Sequence, residues 1–142
     1  MAIDFKEIEE AFFFVSSAPE YEHQAFLDRE TGKIYWQSEM VEDFDELPED
    51  IEDGKYIAIP HKKELGLGKS LALDFADKYL PDEAEEIEAI FRKKGAYTRF
   101  KALLERKGAL KQWYDFEARS EDEALHLWCE ENRIELRGIT SN

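Results

Sequence analysis

The periodicity of the apolar residues changes along this chain, and that change restricts the fold more than any motif does. Between Gln24 and Ile59 the apolar residues come in short runs bounded by turn residues, whereas from Lys69 almost to the end they recur at spacings of three and four. Strands gathered upstream and helices gathered downstream do not alternate, so a parallel βαβ sheet is not expected. The pattern predicts a segregated α+β fold, with a small antiparallel three-stranded sheet followed by a C-terminal group of about five short helices and preceded by one N-terminal helix. With 142 residues and no internal repeat or evident linker, one domain over 1–142 is expected.

Local signals place the elements. Ile8, Ala11, Phe12 and Val15 define one face of a helix over Asp4 to Ser16, with Asp4 as its N-cap and Phe13 and Phe14 widening the apolar face. After Pro19, two strands over Gln24 to Glu30 and Lys33 to Gln37 are joined through Thr31 and Gly32, and a third runs from Tyr56 to Ile59. Leu71, Ala72, Phe75 and Tyr79 mark the next helix, and Pro81 opens another that carries Ala84, Ile87 and Ile90. Gly95 and Gly108 bracket a helix with Phe100, Leu103 and Leu104 inward. A short helix then holds Leu110, Trp113 and Tyr114, and Ser120 with Glu123 has the spacing of a capping box for a last helix that buries Ala124, Leu125, Trp128 and Cys129. Phe100 and Trp113 are expected in the core.

Charge is the strongest functional signal. The net charge of −15 repels nucleic acid and anionic membrane at long range. Yet between Phe91 and Trp113 stand eight bases against Glu105 alone, a local balance of +7 that leaves −22 on the rest. Arg92, Arg99 and Arg106 recur every seven residues, with Lys101 and Lys111 nearby and Tyr97, Trp113 and Tyr114 interleaved. These five cations form the candidate binding surface, since basic groups neutralise phosphates while exposed rings stack on bases. The bland alternative is that they pair with the acidic remainder of the same chain.

Other constellations fall to spacing. Gly66, Gly68, Lys69 and Ser70 follow a strand and precede a helix, but a phosphate-binding loop needs glycine where Lys63 stands. The acidic stretch with Asp43, Asp45, Glu46, Glu49, Asp50, Glu52 and Asp53 does not fit a calcium loop. With Gly54 at the sixth position, Ile51 falls on a ligand and Pro60 on the bidentate glutamate. His126 and Cys129 lie three apart, but His23 and His61 are isolated and a buried thiol is inert packing. No catalytic, cofactor-binding or metal-binding residue is nominated, and no cofactor is expected. The single cysteine excludes an internal disulfide, and no stretch is apolar enough to cross a bilayer. The N-terminus lacks the pattern of a secretory signal, so a cytoplasmic location is expected.

Six strings, in order, resemble uncharacterised protein family 0158: DRETGKIYW from Asp28, DELPEDI from Asp45, YIAIP from Tyr56, GAYTRFK from Gly95, WYDFEA from Trp113 and CEENRIE from Cys129. The resemblance implies a bacterial, cytoplasmic protein of no assigned activity, and it supplies no site residues. The chain departs from the family's pattern at Tyr97 and Thr98. The leading expectation is a non-enzymatic interaction or adaptor domain with an unknown protein partner and no membrane partner. The alternative is a nucleic-acid-binding domain using residues 91–113, and a hydrolase with unidentified carboxylates comes third. A homodimer through the face carrying Phe13 and Phe14 is a further partner reading.

Overall fold

The computed structural model describes residues 2–39, 47–51 and 54–137. The elements run β1 (Ile3–Asp4), α1 (Phe5–Ser16), β2 (His23–Asp28), β3 (Ile34–Ser38), β4 (Tyr56–Ala58), α2 (Lys69–Tyr79), a 3-10 turn (Pro81–Glu83), α3 (Ala84–Ile90), α4 (Ala96–Arg106), α5 (Leu110–Glu131) and β5 (Leu136–Arg137). The fold is α+β, with the antiparallel sheet in the order β3-β2-β4. Two compact units are distinguished, Met1–Leu65 with Leu125–Asn142 and Gly66–Ala124.

In the first unit the sheet has two chemically different faces. Ala25 pairs with Trp36 and Leu27 with both Ile34 and Ile57, so these residues share one face. Ala25 and Leu27 are buried there, as are Ile8, Ala11, Phe12 and Val15 of α1. Phe14 stacks on His23 with ring centroids 4.5 Å apart and meets Trp36 edge-on at 5.2 Å, which fixes α1 against this face. Phe14 thus packs inside the unit, and of the two phenylalanines expected to widen the apolar face of the helix only Phe13 is exposed, at 48%.

The hairpin between β2 and β3 is held by a carboxylate. Asp28 accepts from the Glu30 amide at 2.8 Å and the Thr31 amide at 3.3 Å, while Gly32 takes the left-handed conformation that the turn needs. Burial alone would raise the Asp28 pKa, but the two amides, the Thr31 hydroxyl and the Lys55 charge together hold it below the ordinary carboxylate value.

Two features of this unit are absent from the sequence reading. β1 and β5 form a two-residue parallel pair, Ile3 opposite Leu136 and Asp4 opposite Arg137. Asp4 has the extended backbone of an N-cap but makes no capping bond, because its carboxylate lies 3.6 Å from Arg137 Nη1 instead. The end of α5 closes with Arg133 in the left-handed region, the Arg133 amide bonding the Glu130 carbonyl and the Ile134 amide that of Cys129.

The second unit is built around aromatic rings. Trp113, Phe75 and Phe100 are almost completely buried, with Trp113 5.3 Å from Phe75 and 5.0 Å from Phe100, both edge-on. Phe116 packs against Phe75 at 5.4 Å, and Ile87, Leu103 and Leu104 complete the apolar interior. Gly108 ends α4 in a Schellman motif: its amide bonds the Glu105 carbonyl, the Ala109 amide bonds that of Leu104, and φ is +68°.

The clearest difference from the element reading is α5. The short helix expected at Leu110 and the last helix expected from Ser120 are one uninterrupted helix of 22 residues. No glycine or proline lies between Leu110 and Glu131. A cap at Ser120 would give up intrahelical bonds that each continued residue gains.

Candidate functional site

α3 and α4 present an open groove of about 680 Å³ lined by Glu86, Ile90, Arg99, Ala102, Glu105 and Arg106. Helical spacing explains the lining. Glu86 and Ile90 are four apart on α3, while Arg99, Ala102 and Arg106 follow at three and four on α4. Their opposite face, Phe100, Leu103 and Leu104, is buried. The groove is therefore an amphipathic product, with two arginines and two glutamates around the half-buried Ile90 and the short Ala102.

The five cations nominated from sequence do not share one ridge. Arg99 and Arg106 line the groove, where Arg99 donates to the Lys94 carbonyl and Arg106 lies 4.0 Å from Glu86. Arg92 turns to Glu88 at 3.4 Å, one helical turn back. Lys101 sits 5.6 Å above the ring of Tyr114, and Lys111 is exposed at the start of α5. Lys107, not among the five, pairs with Glu83 at 3.1 Å. The acidic run upstream of Phe91 thus meets part of the basic segment, each exposed pair contributing less than about 1 kcal/mol.

The interleaved aromatics also separate. Trp113 is core. Tyr97 packs edge-on against Phe91 at 5.3 Å, and burial, with the nearby Glu117 charge, raises its hydroxyl pKa. Tyr114 remains largely exposed.

The histidines serve packing and hydrogen bonding. His61 is buried with Nε2 2.8 Å from the Ala18 carbonyl and Nδ1 3.1 Å from the Lys63 amide, which assigns the proton to Nε2. His23 Nδ1 lies 3.0 Å from the Phe14 carbonyl and 3.1 Å from Ser17 Oγ. His126 stacks on Phe5 with centroids 3.8 Å apart. Among the described residues no group of three or more His, Cys, Asp or Glu side chains is placed to hold a metal ion, and no helix is long and apolar enough to cross a membrane. Gly68 directly precedes α2 and the sheet is antiparallel, so the Gly68-Lys69-Ser70 triplet lacks the parallel strand framework of a phosphate-binding loop.

Cys129 is buried, and burial pushes its thiol up to about 11. At pH 8 only about one thiol in a thousand is then ionised. Native protein is expected to react with iodoacetamide at least about 100-fold more slowly than protein in urea, where the ordinary thiol pKa returns. Equal rates in the two states would show that Cys129 is accessible.

In the acidic stretch, Asp50 lies 3.3 Å from Lys55 Nζ and accepts from the Tyr56 hydroxyl at 3.3 Å. Hydrogen bonds with Tyr56 and then Asp50 raise the Lys55 pKa. Asp43, Asp45, Glu46, Glu52 and Asp53 lie outside the described residues.

The sequence reading missed the second face of the sheet. Phe26 pairs with Tyr35 and Ala58, Asp28 with Tyr56, and Gln24 with Gln37, placing all seven opposite the α1-covered face. The signal was available in the alternation of Lys33, just before β3, with Tyr35 and Gln37 along it, but it could not show that Tyr56 would join them.

Comparison of the chain with protein families, with curated proteins and with solved structures finds no match.

Proposed function

We propose that this protein is a non-enzymatic interaction domain whose protein partner docks in the α3–α4 groove. The observation that carries the reading is the open groove itself, in which Arg99 and Arg106 stand beside the apolar Ile90 and Ala102. An apolar floor supplies contact area, and charged groups at its rim supply orientation and partner choice. Arg106, 70% exposed and only loosely opposed by Glu86, keeps most of its hydrogen-bonding capacity for a partner. A cytoplasmic location and a place in uncharacterised protein family 0158 belong to the same proposal.

Two exposed α4 substitutions test it. Ala102→Trp fills the groove without changing charge, and Arg106→Glu reverses one rim charge, while neither touches the buried face of the helix. In nuclease-treated pull-downs from the native cell, the wild-type chain is expected to retain a protein partner whose recovery falls about tenfold or more with either variant. A partner retained equally by both variants would overturn the groove as the docking site. Recovery that disappears on nuclease treatment would favour the nucleic-acid reading of residues 91–113.

A further inference from the structure

We infer that the outer face of the three-stranded sheet binds a short stretch of single-stranded nucleic acid. The face belongs to the first compact unit, whereas the residues of the α3–α4 groove belong to the second. On the middle strand Phe26 is only half buried, with Tyr35 opposite it on β3 and Ala58 opposite it on β4. Tyr56 stands one outward position further along β4, opposite Asp28, whose carboxylate is turned to the hairpin amides. β3 and β4 are separated by β2, roughly 10 Å from backbone to backbone. The Tyr35 and Tyr56 rings nevertheless stand 6.2 Å apart at 72°, so they lean toward each other across the middle strand.

Around the rings the chemistry is that of a base-stacking platform. Lys33 Nζ lies 4.5 Å from the Tyr35 centroid and Lys55 Nζ 5.0 Å from that of Tyr56. Each ammonium covers a ring face, so a base that stacks there displaces it, and the flexible lysine is then free to meet the phosphate at the base's edge. Gln24 and Gln37, directly opposed on the same face, add amide donors and acceptors for base edges. Unpaired bases splayed on sheet aromatics are the usual way a small sheet reads single strands. A duplex keeps its base faces covered and would not fit.

Charge sets the strength and the salt response. The chain's −15 opposes long-range attraction, and Asp50 already engages Lys55, so affinity must rest on stacking. Two lysines give a slope of log affinity against log salt of about −1.4, whereas the five cations nominated in the basic segment would give about −3.5.

The test is fluorescence anisotropy with the full chain and fluorescein-labelled eight-nucleotide oligo(dT), oligo(rU) and oligo(dA), with the oligo(dA)·oligo(dT) duplex as comparison. The wild-type chain is expected to bind single strands saturably with the shallow slope, and the duplex at least about tenfold more weakly. Tyr35→Leu and Tyr56→Leu keep apolar side chains on a strand but remove the stacking ring, and each is expected to lower affinity about tenfold. Tyr56→Phe keeps the ring and should bind within about twofold of wild type. Thermal unfolding identifies any variant that has lost the fold, and Lys33→Gln, expected to flatten the slope by about 0.7, tests the site without touching a ring. Arg99→Glu should leave binding unchanged. Three results would overturn the inference: binding unaffected by loss of either ring, a steep slope together with loss in Arg99→Glu, or no saturable binding tighter than about 100 µM, the weak end of non-specific association.

Discussion

Trp113→Ala is expected to destabilise the protein by about 3–5 kcal/mol, the largest effect of any single side-chain truncation considered. The residue is 1% exposed and meets Phe75 and Phe100 edge-on, so alanine removes an indole's worth of apolar burial and leaves a cavity walled by rigid rings. Trp113→Phe should cost much less, under about 2 kcal/mol, for a reason specific to this site. The Trp113 Nε1–H is buried and has no hydrogen-bond acceptor among the described residues. Phenylalanine gives up volume but also removes that unmatched donor, whose desolvation costs about 1–3 kcal/mol. Urea unfolding of the wild-type chain and the two variants measures both quantities. An alanine variant within about 1 kcal/mol of wild type would show that the aromatic cluster does not hold this unit together.

Glu121→Pro separates the two readings of the C-terminal helices. If Ser120 capped a new helix, Glu121 would occupy its first position, where proline is favoured because its missing N–H is not needed. In the observed 22-residue α5, residue 121 lies mid-helix. There proline removes the bond from residue 121 to the Glu117 carbonyl and its ring collides with that carbonyl, costing about 3 kcal/mol or more. Loss of far-UV helical signal with a matching drop in the urea midpoint is the expected outcome. A proline variant as stable as wild type would restore the break at Ser120.

Much of the fold was legible because short-range periodicity carried it. Ile8, Ala11, Phe12 and Val15 of α1, and Phe100, Leu103 and Leu104 of α4, were assigned to the core from spacing alone and are buried. The turn at Thr31 and Gly32 was legible because a left-handed position between two strands calls for glycine. The capping-box spacing at Ser120 misled because it is a conditional signal. It stabilises a helix start only where the preceding backbone has already left the helix, and nothing from Leu110 onward makes it leave.

The candidate sites were less legible than the elements. Arg99 and Arg106 were visible as basic residues seven apart, but Glu86, which shares their groove, lies in a different helix. The sheet platform was less visible still, since Tyr35 and Tyr56 are separated by the whole acidic stretch and meet only through the β2 register.

By itself the sequence determined the α+β class, the positions of most elements and which face of each helix is apolar. These follow from interactions within a few residues, where the 3.6 and 2.0 periods act directly. Only the tertiary structure decided that β1 pairs with β5 across more than 130 residues, that Asp4 holds Arg137 rather than capping α1, and that two tyrosines converge over the middle strand. Such contacts depend on which distant segments the packed core brings together, and no local pattern encodes that proximity.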